Sequence, residues 1–237
     1  MISGIKALTF DTGGTILDWH SGVSRAFADA GARRGLTADW PAITNEYRRR
    51  SLRAMVGQVN PSFNIDDVHR DMLEQVIGEH GLGALTDDDR EAIHRTWHAL
   101  DAWPDFPAAL ARLRQKYAVV SFTILSTSLI LDVSRRNGLT WDCVVSCEMI
   151  GVYKTRPEAY LTCAKWLGYR PDEILMVACH NFDLMAARET GYRSAFVKRP
   201  SEWGVAGPPD PVPNPAHDIV VQDFGELAHR LGACAGF

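Results

Sequence analysis

The chain has 237 residues, of which 46% are hydrophobic and 23% charged, as is typical of a soluble globular protein with one large domain or a core and an insertion. Its net charge is −4 and it contains no long run of like charge, so we predict no nucleic-acid partner and no membrane-surface partner. No secretory leader is evident at the start, and the longest apolar run, residues 117–125, is too short to cross a bilayer.

The first predicted element is a short buried strand, Ile5–Phe10, which ends at Asp11 and is followed by a glycine pair and Thr15. Helical patterns then follow one another with short connections and no convincing strand. They cover residues 22–35, 42–57, 65–81 and 87–100. We interpret this block as a small helical bundle.

After residue 103, apolar strands alternate with helices, a pattern that indicates a parallel sheet covered on both faces. The predicted strands cover residues 118–125, 143–146, 173–178 and 194–197, with helices between them. The predicted fold class is therefore α/β, a doubly wound, Rossmann-like parallel-sheet core with an inserted helical-bundle cap. The core would comprise residues 1–16 and 103–237, and the cap residues 17–102. Residues 200–215 are rich in Pro and Gly and are predicted to form an irregular surface segment.

Chemically useful side chains follow four of these strands, where open α/β sheets bind their ligands. They are Asp11, the Ser126-Thr127-Ser128 run, Lys154 with Tyr160, and the run Cys179-His180-Asn181 with Asp183. Each has an ordinary structural alternative. The first acid could bond its own turn, the serine could cap a helix, the lysine could be exposed, and the last acid could begin a helix. That all four structural alternatives hold at the same edge of the sheet is a weaker explanation than a shared functional site.

These residues, with the segments "FDTGGTILD", "ILSTS", "WDCVVSCEMIGVYKTRPEAY" and "MVACHNFDLMAARETGYRSAFVKRPSEWG", resemble the haloacid dehalogenase superfamily. The resemblance is greatest to its type II 2-haloacid dehalogenases and extends over nearly the whole chain. It implies a hydrolase whose nucleophile is Asp11. Phosphatases of the superfamily need two further acids, one to protonate the leaving alcohol and one to hold Mg²⁺. Gly13 and Ala178 stand at those positions, so we predict no metal and no other cofactor.

The resemblance implies hydrolysis of short 2-haloalkanoic acids to 2-hydroxy acids. Asp11 would displace the halide, and water would then hydrolyse the aspartyl ester. Lys154 would keep Asp11 ionised, and Thr15 and Ser126 would hydrogen-bond the carboxylates of enzyme and substrate. Asp183, with His180 or Asn181, would position the water. The predicted substrate and halide contacts are Arg48, Thr127, Tyr160, His180, Asn181 and Phe182.

Three residues depart from the family pattern. Thr127 replaces the usual asparagine, Thr155 replaces a proline, and His180 stands where the best-known relatives have asparagine. Two other functions remain alternatives, a Mg²⁺-dependent small-molecule phosphatase of the same superfamily and a non-catalytic anion-binding module. A phosphonate hydrolase that uses a cap lysine is disfavoured, because residues 17–102 contain no lysine. The five cysteines form no CxxC pair, which favours free thiols in the cytoplasm. A homodimer is expected from the resemblance alone.

Overall fold

The computed structural model describes residues 3–205, 207–208 and 211–233, and a six-stranded parallel sheet lies at its centre. The strands are β1 (Ala7–Phe10), β2 (Ala118–Thr123), β3 (Cys143–Ser146), β4 (Ile174–Ala178), β5 (Arg193–Val197) and β6 (Ile219–Val221). Their order across the sheet is β3-β2-β1-β4-β5-β6. The predicted α/β parallel-sheet fold is therefore confirmed.

Ten α-helices are present among the described residues. They are α1 (Trp19–Arg33), α2 (Trp40–Met55), α3 (Ile65–Glu79), α4 (Asp87–Arg95), α5 (Phe106–Arg114), α6 (Thr127–Asn137), α7 (Cys147–Ile150), α8 (Pro157–Leu167), α9 (Asn181–Glu189) and α10 (Phe224–Arg230). None of the described helices combines the length and the apolar character that a membrane span requires.

Strand β1 lies in the middle of the sheet, where all four of its side chains are buried and most of them are apolar. It pairs with β2 on one side and β4 on the other, so that Phe10 is in register with Ser121 and Val177. The chain reverses its direction across the sheet beside β1, and ligands of doubly wound sheets bind at such a switch point. Asp11 follows at once and donates its backbone N–H to Val177 O at 3.0 Å.

Helices α1–α4 form between β1 and β2 because each begins at a side chain that caps it. The caps are Asp18, Asp39, Asn64 and Thr86, and the last two form complete capping boxes. The chain enters and leaves this insertion at one place, where Leu17 and Ala102 form an antiparallel bridge. The division into core and cap at these residues remains a prediction.

The predicted helices and the first five strands agree with the structure apart from a few residues at their ends. Strand β6 and helices α7 and α10 were not predicted, because elements of three, four and seven residues are too short to give a clear periodic pattern. The expectation of a surface segment at 200–215 is wrong at Glu202, which is only 4% exposed. Four cysteines are free thiols in the structure, and Cys234 lies outside the described residues.

Candidate active site

The carboxylate of Asp11 lies at the carboxyl end of β1 and is almost completely buried. Its Oδ1 accepts a hydrogen bond from Lys154 Nζ at 3.0 Å. Its Oδ2 accepts one from Thr15 Oγ1 at 2.7 Å and faces His180 Nδ1 at 3.1 Å. Burial alone would raise the pKa of Asp11, but Lys154, His180 and Thr15 outweigh it and hold this pKa well below its usual range. Asp11 is therefore an anion at neutral pH.

Lys154 comes from the loop before α8 and is 2% exposed. Its ammonium also donates to Asp183 Oδ2 at 2.7 Å, while Tyr160 OH donates to Asp183 Oδ1 at 2.7 Å. Burial opposes the charge of Lys154, yet Asp11 and Asp183 raise its pKa above the usual range. The amine thus connects two acids that arrive from different strands, and both oxygens of Asp183 are engaged.

His180 and Glu202 form a second charged pair on the other side of Asp11. His180 Nε2 lies 3.0 Å from Glu202 Oε1, which also accepts from Trp19 Nε1 at 3.2 Å. Gly14 permits this approach, because a Cβ built there would lie 2.1 Å from Glu202 Oε1. Burial would raise the pKa of Glu202, but His180 and then Arg48 lower it. Glu202 is therefore ionised at neutral pH.

Arg48, from α2, is 1% exposed and lies beside the loop that follows β1. A Cβ added to Gly13 would come within 2.7 Å of its Nη2. Its guanidinium carbon lies 5.6 Å from the ring centroid of Trp19 and 5.3 Å from that of Trp97. Within the part of the chain that the structure describes, Nε and Nη1 of Arg48 have no hydrogen-bond partner. Buried donors without partners are uncommon, and these N–H groups are free to donate to an anion.

The charges of these groups balance. With every group in its charged form, the carboxylates of Asp11, Asp183 and Glu202 balance the cations Lys154, His180 and Arg48, and burial raises the pKa of Asp183 above its usual value. A monoanion can therefore enter beside Arg48 at a smaller electrostatic cost than a dianion.

Ser126 and Thr127 are hydrogen-bonded to groups other than Asp11 in the described structure. Ser126 Oγ caps α6 by accepting from Leu129 N, and it donates to Asp66 Oδ2 on α3 at 2.6 Å. Thr127 is half-buried, and its backbone N–H donates to Glu148 Oε1. Of the two roles considered for Ser126, these contacts support the helix cap, because its hydroxyl already donates to Asp66 and accepts from Leu129 N.

Asn181 is hydrogen-bonded to the segment before β6, and Phe182 stacks on His180, which itself contacts Asp11. The side chain of Asn181 donates to Val212 O at 2.9 Å and accepts from Asn214 N at 3.0 Å, so it fastens the segment before β6. Phe182 is 47% exposed, and its ring stacks on His180 at 5.4 Å between centroids. Helix α9 begins at Asn181, and its first turn therefore directs only Asp183 into the site.

Sequence reasoning missed Glu202, Trp19 and Trp97, and it gave Cys179 no role. Cys179 donates its backbone N–H to Thr15 Oγ1 at 3.0 Å, which orients the hydroxyl toward Asp11. The two tryptophans are 78 positions apart and meet only because α1 packs against the 3₁₀ turn after α4. Glu202 could have been suspected, because it is an isolated acid beside Trp203 in a segment otherwise rich in Pro and Gly.

The residues present do not fit the Mg²⁺ site of a phosphatase. Gly13 and Ala178 offer no carboxylate, and Lys154 Nζ lies between the carboxylates of Asp11 and Asp183, where it would repel a divalent cation. Cys179, His180 and Glu202 have donor atoms within 4.8 Å of one another. These three side chains are hydrogen-bonded among themselves, and we assign them no metal.

Known proteins resemble this chain over most of its length. The family model of haloacid dehalogenase-like hydrolases matches residues 5–191. An (S)-2-haloacid dehalogenase of Xanthobacter autotrophicus is 30% identical over 210 residues, covering 85% of this chain and 78% of the relative. A phosphoglycolate phosphatase of Aquifex aeolicus is 24% identical and covers 84% of this chain and 86% of that protein.

Solved structures show the same relationship. The crystal structure of a defluorinating L-2-haloacid dehalogenase has a TM-score of 0.88 and 34% identity, over 96% of this chain and 95% of that chain. Another L-2-haloacid dehalogenase has a TM-score of 0.87 and 34% identity, over 96% of this chain and 100% of that chain. With the family model matching more than half of its residues, the chain belongs to the haloacid dehalogenase-like hydrolase family.

Proposed function

We propose that this hydrolase acts on carbon–halide bonds and converts short 2-haloalkanoic acids to 2-hydroxy acids without a metal. Asp11 attacks C2 of the substrate, the carbon–halogen bond breaks with its electron pair, and an aspartyl ester forms. Water then hydrolyses the ester and restores Asp11. The relatives named as (S)-2-haloacid dehalogenases and L-2-haloacid dehalogenases support this substrate class.

One observation carries the proposal, the buried ion pair of Asp11 and Lys154 at 3.0 Å. An ammonium keeps Asp11 ionised and nucleophilic, as Mg²⁺ does in a phosphatase, but it neutralises only one charge. A halide leaves as an anion and needs no proton, so the missing acid at Gly13 is not required. The substrate carboxylate is a monoanion and suits the unpartnered N–H groups of Arg48.

The test offers purified protein both enantiomers of 2-chloropropionate, and separately p-nitrophenyl phosphate, each with and without EDTA. We expect halide release from one enantiomer, insensitive to EDTA, with formation of a 2-hydroxy acid of inverted configuration. Phosphate release that EDTA abolishes would support the phosphatase instead. Binding without release of either product would support the anion-binding module.

A variant assigns the nucleophile. Asp11→Asn should abolish halide release while the circular dichroism spectrum stays unchanged. Asp172→Asn is the matched control, because the Asp172 side chain is 59% exposed and forms its ion pair with the exposed Arg170. Persistent halide release by Asp11→Asn would refute the assignment of Asp11. Fluoroacetate, tested alongside chloroacetate, shows whether the activity extends to fluoride.

We also propose, on family resemblance, a cytoplasmic homodimer. The structure offers one supporting feature, since Leu161 and Trp166 on α8 are 47% and 50% exposed. Light scattering after size exclusion measures the mass directly. A monomer at micromolar concentration would contradict this part of the proposal.

A further inference from the structure

The ring of His180 lies between two carboxylates. Its Nδ1 is 3.1 Å from Asp11 Oδ2, and its Nε2 is 3.0 Å from Glu202 Oε1. A neutral imidazole has one N–H, so its other nitrogen would direct a lone pair at a carboxylate oxygen. Only the doubly protonated imidazolium donates to both acids. The geometry therefore requires a cationic His180.

The other groups around His180 support the same charge state. Besides Asp11 and Glu202, the Cys179 thiol lies 3.4 Å from Nε2, and the Phe182 ring stacks on the imidazole. Burial disfavours the cation, but the carboxylates of Glu202 and Asp11 raise the pKa of His180 well above its usual range. Burial raises the pKa of Cys179 to about 11, so this thiol remains neutral.

The two oxygens of Asp11 are not equivalent. Each carboxylate oxygen has two lone pairs in the plane of the group. Those of Oδ2 are taken by Thr15 Oγ1 at 2.7 Å and His180 Nδ1 at 3.1 Å, whereas among the described residues Oδ1 accepts from Lys154 alone. The free lone pair is on Oδ1, so Oδ1 attacks the substrate. Oδ2 then becomes the carbonyl oxygen of the ester and keeps both donors.

We propose that His180, ion-paired with Glu202, forms an oxyanion hole with Thr15 for hydrolysis of the Asp11 ester. This inference rests on the proposed function. The oxygen of water bonds to Cγ of Asp11, the carbonyl electron pair moves to Oδ2, and the attacking water loses one proton. The Cγ–Oδ1 bond then breaks, and its electron pair and a proton complete the hydroxyl group of the 2-hydroxy acid. The remaining proton reaches solvent, so one proton leaves for each halide.

Distances and charge both suit this role. Oxyanion donors lie about 2.7–3.1 Å from the oxygen that gains charge, and these two donors meet that range in the free enzyme. When the ester forms, Asp11 loses its negative charge, and Glu202 becomes the carboxylate that still holds His180 as a cation. His180 is then a catalytic residue. Glu202 is a positioning residue, since it acts through the imidazole.

The test compares His180→Gln, Glu202→Gln and the matched control Glu189→Gln, which changes an exposed glutamate on α9. Rapid quench with 2-chloropropionate measures halide released in the first turnover, and mass spectrometry of the Asp11 peptide measures the ester. We expect both site variants to release halide stoichiometrically in that turnover and then accumulate ester. Their steady-state rates should fall about 10²–10³-fold, the usual effect of removing one oxyanion donor.

The pH dependence separates the roles of the two residues. In the Glu202→Gln ester no carboxylate holds His180, so its pKa falls and ester hydrolysis slows as the pH rises from about 5 to about 9. Wild-type hydrolysis should show no such loss over that range. His180→Gln has no imidazole to titrate, so its slow hydrolysis should not follow this ionisation. A residue with only a structural role would not produce this pattern.

Other results would overturn the inference. The proposed role of His180 is refuted if His180→Gln does not accumulate ester. It is also refuted if Asp183→Asn accumulates ester while neither His180→Gln nor Glu202→Gln does. If circular dichroism shows Glu202→Gln to be unfolded, ester accumulation in His180→Gln alone tests the proposal. A wild-type protein that releases no halide refutes the proposed function itself. If wild type turns over normally but the variants accumulate no ester, only the proposed role of His180 is refuted.

Discussion

The ammonium of Lys154 lies 3.0 Å from Oδ1 of Asp11, although the two residues are 143 positions apart in the chain. Both groups are buried, and each compensates the charge of the other. Replacing one member of such a pair leaves an uncompensated charge in the interior, which is costlier than the pair itself. We therefore expect the ion pair to contribute to both stability and reactivity.

Lys154→Met should abolish halide release and destabilise the protein. Asp11 and Asp183 would face each other without a cation, so the free energy of unfolding should fall by about 3–5 kcal/mol. With its pKa lowered by Lys154, Asp11 contributes stability above its unfolded pKa of 3.8, and this contribution is lost as the pH falls. Urea unfolding at neutral pH and well below pH 3.8 measures both effects.

In Lys154→Met, the difference between the free energies of unfolding at the two pH values should be smaller than in wild type. Lys165→Met, at an exposed position on α8, is the control and should behave as wild type. Equal stability of Lys154→Met and wild type at neutral pH would contradict the role of the buried pair.

Ser126→Ala should affect stability more than chemistry. The Ser126 hydroxyl caps α6 and donates to Asp66, so its loss should lower the free energy of unfolding by about 1 kcal/mol. The rate of halide release should change less than tenfold. A variant that folds with unchanged stability but has lost its activity would restore the catalytic role expected from sequence.

Sequence alone predicted the chemistry of the strand ends, but not how each side chain is used. Asp11, Lys154 and Asp183 could be predicted because parallel strands bring their carboxyl ends to one edge. Ser126 follows the same rule and yet caps a helix, since Asp66 arrives from α3, 60 positions earlier. Glu202 could not be placed, because its burial depends on Gly14 and Trp19 at the other end of the chain. For both Ser126 and Glu202, contacts between segments that are distant in the sequence determine how the side chain is used.

Gly13→Ala should weaken substrate binding without unfolding the protein. The new Cβ would lie 2.7 Å from Arg48 Nη2, so the guanidinium has to move. Trp19 and Trp97 pack on this guanidinium and restrict that movement. We expect KM for 2-chloropropionate to rise about tenfold or more, equivalent to about 1.4 kcal/mol of binding free energy. Steady-state kinetics with a thermal melt checks this, and an unchanged KM would show that Arg48 does not contact the substrate.

Thr155→Pro should destabilise the loop next to Lys154, even though proline is usual in relatives at this position. Thr155 has φ of 75°, which is incompatible with the proline ring, and its N–H donates to Tyr160 OH at 3.3 Å. We expect a loss of about 1–3 kcal/mol. Thr155→Gly removes the strain of a β-branched residue at positive φ, so it should be at least as stable as wild type. Chemical unfolding of both variants measures this, and a stable Thr155→Pro protein would disprove the left-handed conformation.

The bridge between Leu17 and Ala102 has a consequence for how such an enzyme could be altered. Asp18 N donates to Asp101 O at 3.0 Å, and Trp103 N donates to Ile16 O at 2.8 Å, so both ends of the inserted helices meet at a single junction. A helical block from a relative could be grafted there with little loop-closure entropy. Arg48 would be exchanged with the block, while Asp11, Lys154 and His180, which follow β1, β3 and β4, would stay in place. Recognition and bond cleavage could therefore be recombined as separate modules.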